Sequence, residues 1–209
     1  MKKSIRYIGS LVLVAVVAYN SVYFKKLDEV KAGTASFDAG KYALEFWSKK
    51  LPPHTSKAIE IGDLLSLLQT DKNKAFTDYS HALGIGNVKY FLVKGSGTVQ
   101  SVDENQVSVK VESGHEKPEV ILATEYVFGN AVRDASGEID INEFTNSMDF
   151  NNVSAEINKI IREKVIPPFR SKVKNGNKIN FIGAIELNQE HLSTRLIEII
   201  PIDLKIMEK

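Results

Sequence analysis

Apolar positions follow three rhythms along the chain, and each predicts a different kind of segment. The first is unbroken. After the basic start Met1-Lys2-Lys3-Ser4-Ile5-Arg6, residues 7–24 carry no charge, and Lys25-Lys26 closes the run. A bilayer's hydrocarbon core is about 30 Å thick and takes roughly 17–25 apolar residues in helical form. The 18 residues of this run therefore predict a transmembrane anchor helix. The basic cluster favours a cytoplasmic N-terminus. The expected protein is single-pass in the inner membrane, held through residues 7–24, with its body in the periplasm. Ala15 and Ala18 supply the small residues of a cleaved signal peptide. The apolar run continues past them to Phe24, which favours the uncleaved anchor.

The second rhythm is helical. Residues 27–35 are polar and small, a tether, and Ser36 is a candidate N-cap. Phe37, Tyr42, Ala43, Phe46 and Trp47 then recur at three- to five-residue spacing, and Pro52-Pro53 predicts a stop. Lys57–Gln69 reads as a second helix with Ala58, Ile61, Leu64, Leu65 and Leu68 on one side. Lys72–His81 reads as a third, ended by Gly84-Ile85-Gly86.

From Asn87 the period becomes two. Val88, Tyr90 and Leu92, then Val99 and Val102, predict strand on either side of a break at Gly95-Ser96-Gly97. Val107, Val109 and Val111 alternate with polar residues after the turn Asp103-Glu104-Asn105, and Glu119–Phe128 predicts another strand. Asn151–Val165 returns to helical spacing and closes at Pro167-Pro168, before strands at Lys178–Ile185 and Ser193–Ile206. Three strands, a helix and two strands is the order of the OB-fold, a small closed barrel. The expected class is α+β. An OB-fold-like β-barrel over 87–209 carries a helical region at 36–86, a tether at 27–35 and an anchor or signal segment at 1–26.

Charge and cysteine content narrow the partners. All five charged residues in 1–26 are basic, so the remainder holds 22 Lys+Arg against 26 Asp+Glu, a formal charge of −4. Nucleic-acid binding draws its affinity from basic residues neutralising phosphates, so none is expected here. The chain has no cysteine. Disulfides, thiol catalysis, thiolate metal sites and lipidation through a cysteine are therefore excluded.

Several segments together resemble a known family. They are Ser36-Phe37-Asp38-Ala39 through Trp47 to Leu51-Pro52; Val93-Lys94-Gly95-Ser96-Gly97-Thr98-Val99; and Phe128-Gly129-Asn130-Ala131-Val132-Arg133-Asp134-Ala135. Ile141-Asn142-Glu143-Phe144-Thr145-Asn146 and Phe181-Ile182-Gly183-Ala184 complete the set. Over about residues 36–190 the chain resembles the bacterial predicted periplasmic lipoproteins grouped as domain of unknown function 2291. The resemblance implies export and a membrane-attached β-rich domain, with no enzymatic activity assigned. It also implies a genomic setting often beside sugar ABC-transporter genes. This chain lacks the lipidated cysteine of many members, and Ser147 stands where they tend to have glutamine.

No catalytic signature emerges. Ser136 to Phe144 looks like the back half of a calcium loop, with Asp134 third, Gly137 sixth and Glu143 twelfth, but Val132 at the first position cannot ligate through its side chain. Arg133-Asp134 is the polar pair of most interest. Read as strand, its two side chains point to opposite faces, leaving Arg133 to reach Asp140 or Glu143 as a clamp or to meet a ligand. The Gly-x-Gly turns do not open helices as a dinucleotide site requires. The four histidines have no metal-ligand spacing, and His54 and His115 read as solvated loop residues. Trp47 reads as helix packing. No cofactor and no metal are expected.

The favoured reading is a non-enzymatic accessory protein, with sugar ABC-transporter subunits among its possible partners. The alternative is a small-molecule module for an anionic or sugar ligand on the barrel face, using Arg133, Asp134 and Asn146 beside Gly95–Gly97.

Overall fold

A computed structural model of the chain divides it into two compact units, Met1–Phe37 and Asp38–Lys209; residues 2–21, 37–84, 86–112 and 118–207 are described. The first unit contains helix α1, Lys2–Ser21. Among the described residues no helix is long and apolar enough to cross a membrane, so the spanning anchor expected over residues 7–24 is not shown. Lys2, Lys3 and Arg6 are wound into the start of α1, and Tyr19, Asn20 and Ser21 make its end polar. The uncharged apolar stretch within it, residues 7–18, rises only about 18 Å at 1.5 Å per residue, against a core of about 30 Å. Residues 22–24, the tether and Ser36 lie outside the described residues.

The second unit opens with α2 (Ala39–Glu45), capped by Asp38 rather than Ser36; the Asp38 carboxylate accepts from the Lys41 N–H at 2.9 Å. A π-helical stretch, Phe46–Lys50, leads into α3 (Leu51–Thr55). Then come β1 (Ile59–Glu60), α4 (Ile61–Thr70), α5 (Lys72–Tyr79) and β2 (Ser80–His81). The barrel strands β3 (Val88–Val102), β4 (Gln106–Val111) and β5 (Glu119–Ala123) follow. Next are α6 (Ala131–Ala135), a 3-10 turn at Ile141–Glu143, α7 (Ser147–Ile160), a second π stretch at Ile161–Val165 and α8 (Ile166–Arg170). Strands β6 (Lys178–Asn188) and β7 (Ile197–Ile206) finish the fold.

The two Pro-Pro pairs continue helices instead of stopping them. Proline lacks an N–H and its ring crowds the carbonyl four residues back. In both places a π stretch precedes the prolines, with the Leu51 N–H bonded to the Phe46 carbonyl and the Ile166 N–H to that of Ile161. The wider turn removes the conflict and restarts the helix with proline in its first turn, where a missing donor costs nothing.

The strands pair in the order β3-β4-β5-β7-β6, and a long antiparallel β6–β3 pairing closes the ring. The β5–β7 pair is parallel and the other barrel pairs are antiparallel. With α7 between the third and fourth barrel strands, this is the OB arrangement that the rhythm predicted. β3 does not break at its glycines. A Cβ on Gly97 would lie 2.5 Å from the Lys110 carbonyl oxygen, and one on Gly95 would lie 2.8 Å from Phe181 Cζ. Glycine there lets neighbours come close within a continuous strand.

Alternation along the strands serves two cores. Phe91, Val93, Val99, Val109, Leu122, Phe181, Ile185 and Ile199 fill the barrel, plugged at its ends by residues of α4, α5 and α8 such as Leu64, Phe76 and Phe169. Leu92, Ala184, Ile200 and Ile202 point the other way. They meet the first π stretch, α6 and α7 through Phe46, Val132, Phe150, Val153 and Ile157. Strands buried on both faces explain why the sequence alternation in β7 is incomplete.

Candidate functional site

Arg133 and Asp134 sit on the short helix α6, not on a strand, so the geometry that kept them apart does not apply. They pair with each other. Arg133 Nε donates to Asp134 Oδ1 at 2.5 Å and a terminal nitrogen donates to Oδ2 at 3.1 Å, a two-point contact. The other terminal nitrogen donates to the Phe150 carbonyl at 3.2 Å, and the guanidinium lies 3.6 Å from the Phe150 ring centroid. The two residues are 3% and 5% exposed. The pair joins α6 to the first turns of α7 over the outer face of the barrel. Beneath it, burial first and then the charges of Glu186 and Asp134 push the Tyr90 hydroxyl up to about 12.

Neither carboxylate proposed for Arg133 reaches it. Asp140 accepts from the Asn142 N–H at 2.9 Å, and Glu143 accepts from the Tyr42 hydroxyl at 2.8 Å. Asn146 caps α7, its Oδ1 accepting from the Asp149 N–H at 2.8 Å. Gly95–Gly97 is enclosed in the barrel wall between β4 and β6. The three residues singled out in the sequence thus lie around the start of α7, with their polar atoms engaged in holding the fold.

The loop read as half a calcium site is a brace. Asp134, Glu138, Asp140 and Glu143 each have a protein partner. Glu138 meets His54 Nε2 at 3.1 Å and Lys50 at 3.9 Å, so His54 belongs to α3 and to this contact rather than to a solvated loop. Gly137 has φ +66, a left-handed conformation, and a Cβ there would lie 2.5 Å from His81 Nδ1. Burial first and the His54 charge second lower the pKa of His81. Burial and the Glu143 carboxylate raise that of Tyr42. Among the described residues no three His, Asp or Glu side chains cluster so as to hold a metal ion.

Two cavities lie away from this brace. One, of about 330 Å³, opens between the segment after β5 and the β6–β7 loop, lined by Phe128, Gly129, Glu186, Ser193, Leu196 and Glu198 among others. Two of its lining residues are exposed and apolar, Phe128 at 65% and Leu196 at 67%, and Tyr126, 62% exposed, stacks on the Phe128 ring with centroids 6.5 Å apart. Arg162 holds this segment by donating to the Val127 carbonyl at 2.6 Å. The second cavity, of about 510 Å³, lies where α8 and the loop after it meet the end of β7. Reading Glu119–Phe128 as one strand hid the first rim. The strand ends at Ala123, and an apolar residue in an extended run is indistinguishable by pattern from one on an exposed turn.

A fold of this order with a closed barrel is found in solved proteins. The chain is similar to an OB-fold protein from Thermotoga maritima, at 26% identity and a TM-score of 0.74 over 82% of this chain and 99% of that one. The family model described as predicted periplasmic lipoprotein, domain of unknown function 2291, matches residues 12–205. The chain belongs to that family. No curated protein matches it.

Proposed function

We propose that this protein is an exported, non-enzymatic body that docks a protein partner at the Phe128 rim. The observation that carries the reading is the exposure of Phe128 and Leu196 on a cavity that also holds Glu186 and Glu198, with exposed Tyr126 stacked on Phe128. Exposed aromatic side chains around a concavity are the usual composition of an interface centre. The two carboxylates select a partner that inserts an apolar side chain flanked by basic ones. The groups that could have served chemistry support the same reading, because Arg133, Asp134, Glu138 and Glu143 are bound to one another or to neighbouring elements.

The family description supports residence outside the cytoplasm. Helix α1, with its basic start and apolar middle, supplies the export segment. With no cysteine, attachment through a lipidated cysteine is unavailable to this member. The family resemblance makes subunits of a sugar ABC transporter the first partners to test. Replacing the native copy with Phe128→Asp should lower sugar uptake or the abundance of the transporter subunits as much as deletion does. Deletion that leaves both unchanged would end the proposal for that partner.

A further inference from the structure

We infer that the cavity at the end of β7 binds a single-chain amphiphile with an anionic head, a carboxylate or a phosphate monoester. The cavity holds about 510 Å³ and is lined by Pro168, Phe169, Lys172, Lys174, Asn177, Leu204 and Ile206. That volume lies within the roughly 300–1,000 Å³ of small-molecule sites. Its walls divide by chemistry. Phe169 is buried in the barrel's end, and Leu204 and Ile206 are half-buried against the same core, which gives an apolar floor. The polar side carries two lysines and no carboxylate.

Two lysines next to the lining residues in sequence have acidic partners: Lys178 meets Glu112 at 2.9 Å and Lys205 meets Asp203 at 2.6 Å. Lys172 and Lys174 have no ion-pair partner among the described residues. Two uncompensated cations beside an apolar floor fit an anionic head with its chain turned inward. A free sugar leaves the floor uncovered, and inorganic phosphate leaves the floor unused.

The walls are also fixed in place. Arg170 pins α8 to the β3–β4 turn through the carbonyls of Asp103 at 2.5 Å and Glu104 at 3.0 Å. On the other side, Asn177 Oδ1 accepts from the Lys174 N–H at 2.7 Å. The Gly176 N–H donates to the Val99 carbonyl, and the Val99 N–H donates to that of Asn177, each at 2.9 Å. Gly176 has φ +82, the left-handed value that this tight turn requires. The loop that presents Lys174 is thus stitched to β3, so little ordering opposes binding.

This inference stands apart from the partner-docking reading, because the two cavities share no lining residue. The test is calorimetric titration of the full chain, in the presence of phosphatidylcholine vesicles, with octyl phosphate; vesicles alone are the blank. Saturable one-to-one binding is expected, weakened at least about tenfold by Lys172→Gln with Lys174→Gln, which is about 1.4 kcal/mol. Leu204→Asp should weaken it separately. Equal binding of octyl glucoside would overturn the anionic head, equal binding of inorganic phosphate would overturn the chain, and no saturable heat would overturn the site. Vesicles of phosphatidylglycerol test the alternative source. A block of octyl phosphate binding that persists at high salt would overturn the single-chain occupant in favour of a two-chain bilayer lipid, and unblocked binding supports the free amphiphile.

Discussion

Removing the Asp134 carboxylate should be among the most damaging single changes in the body. The guanidinium of Arg133 is 3% exposed and would remain in the second core with only the Phe150 carbonyl and ring as partners. Breaking a buried pair by deleting one member costs about 3–5 kcal/mol, because a charge is left desolvated. Replacing both members by apolar side chains of similar volume is often neutral. Asp134→Ala should therefore cost about 3–5 kcal/mol, and Arg133→Met with Asp134→Leu should cost much less than either single change. The readout is urea unfolding of the full chain followed by fluorescence of Trp47, the single tryptophan, which packs against the same core. With a slope of about 2 kcal/mol per molar urea, the Asp134→Ala midpoint should fall by about 1.5–2.5 M. A shift under about 0.3 M, or single changes whose effects simply add in the double variant, would show that the pair does not clamp α6 to α7.

Three other outcomes follow from the same geometry. Gly97→Ala should cost about 1–3 kcal/mol in thermal unfolding, because its Cβ would stand 2.5 Å from the Lys110 carbonyl oxygen and 2.6 Å from Val109 Cγ1. Ser154→Ala should be neutral or stabilising by up to about 1 kcal/mol, since its buried hydroxyl has no hydrogen-bond partner among the described residues; a clear loss of melting temperature would contradict this. His81 titrates below its ordinary 6.5 in the folded protein, so the unfolded chain takes up its proton first as pH falls. Stability should be full above that value and decline below it, and His81→Asn should flatten this slope in pH-dependent melts.

The barrel was legible because period-two alternation survives in β3, β4 and β6, and the order of strands and helix left few alternatives. Its glycines misled. Gly95 and Gly97 punctuate a sequence as a break does, yet here they answer close approaches from Phe181 and Lys110 that come from distant segments. Pro52-Pro53 and Pro167-Pro168 misled in the same way, since a π stretch has no recognisable local pattern. The expected anchor runs to Phe24, past the described end of α1 at Ser21, so its length is not shown by the helix.

Arg133 and Asp134 stood out in the sequence as a polar pair, but their contact with each other depended on a five-residue helix inside a segment without clear periodicity. The His54–Glu138 contact spans 84 residues and left no local signal. Phe128 and Leu196 became a candidate interface only once the structure showed both side chains exposed beside one cavity.

The most direct test of the account is photo-crosslinking in native cells, with a photoreactive residue placed at Phe128 and, as a comparison, at exposed Lys110 on the barrel. Mass spectrometry should recover one partner in near-stoichiometric yield from position 128 alone, with Glu186→Lys reducing the adduct. A bare, uncrosslinked protein at position 128, or the same adducts from both positions, would contradict a docking rim.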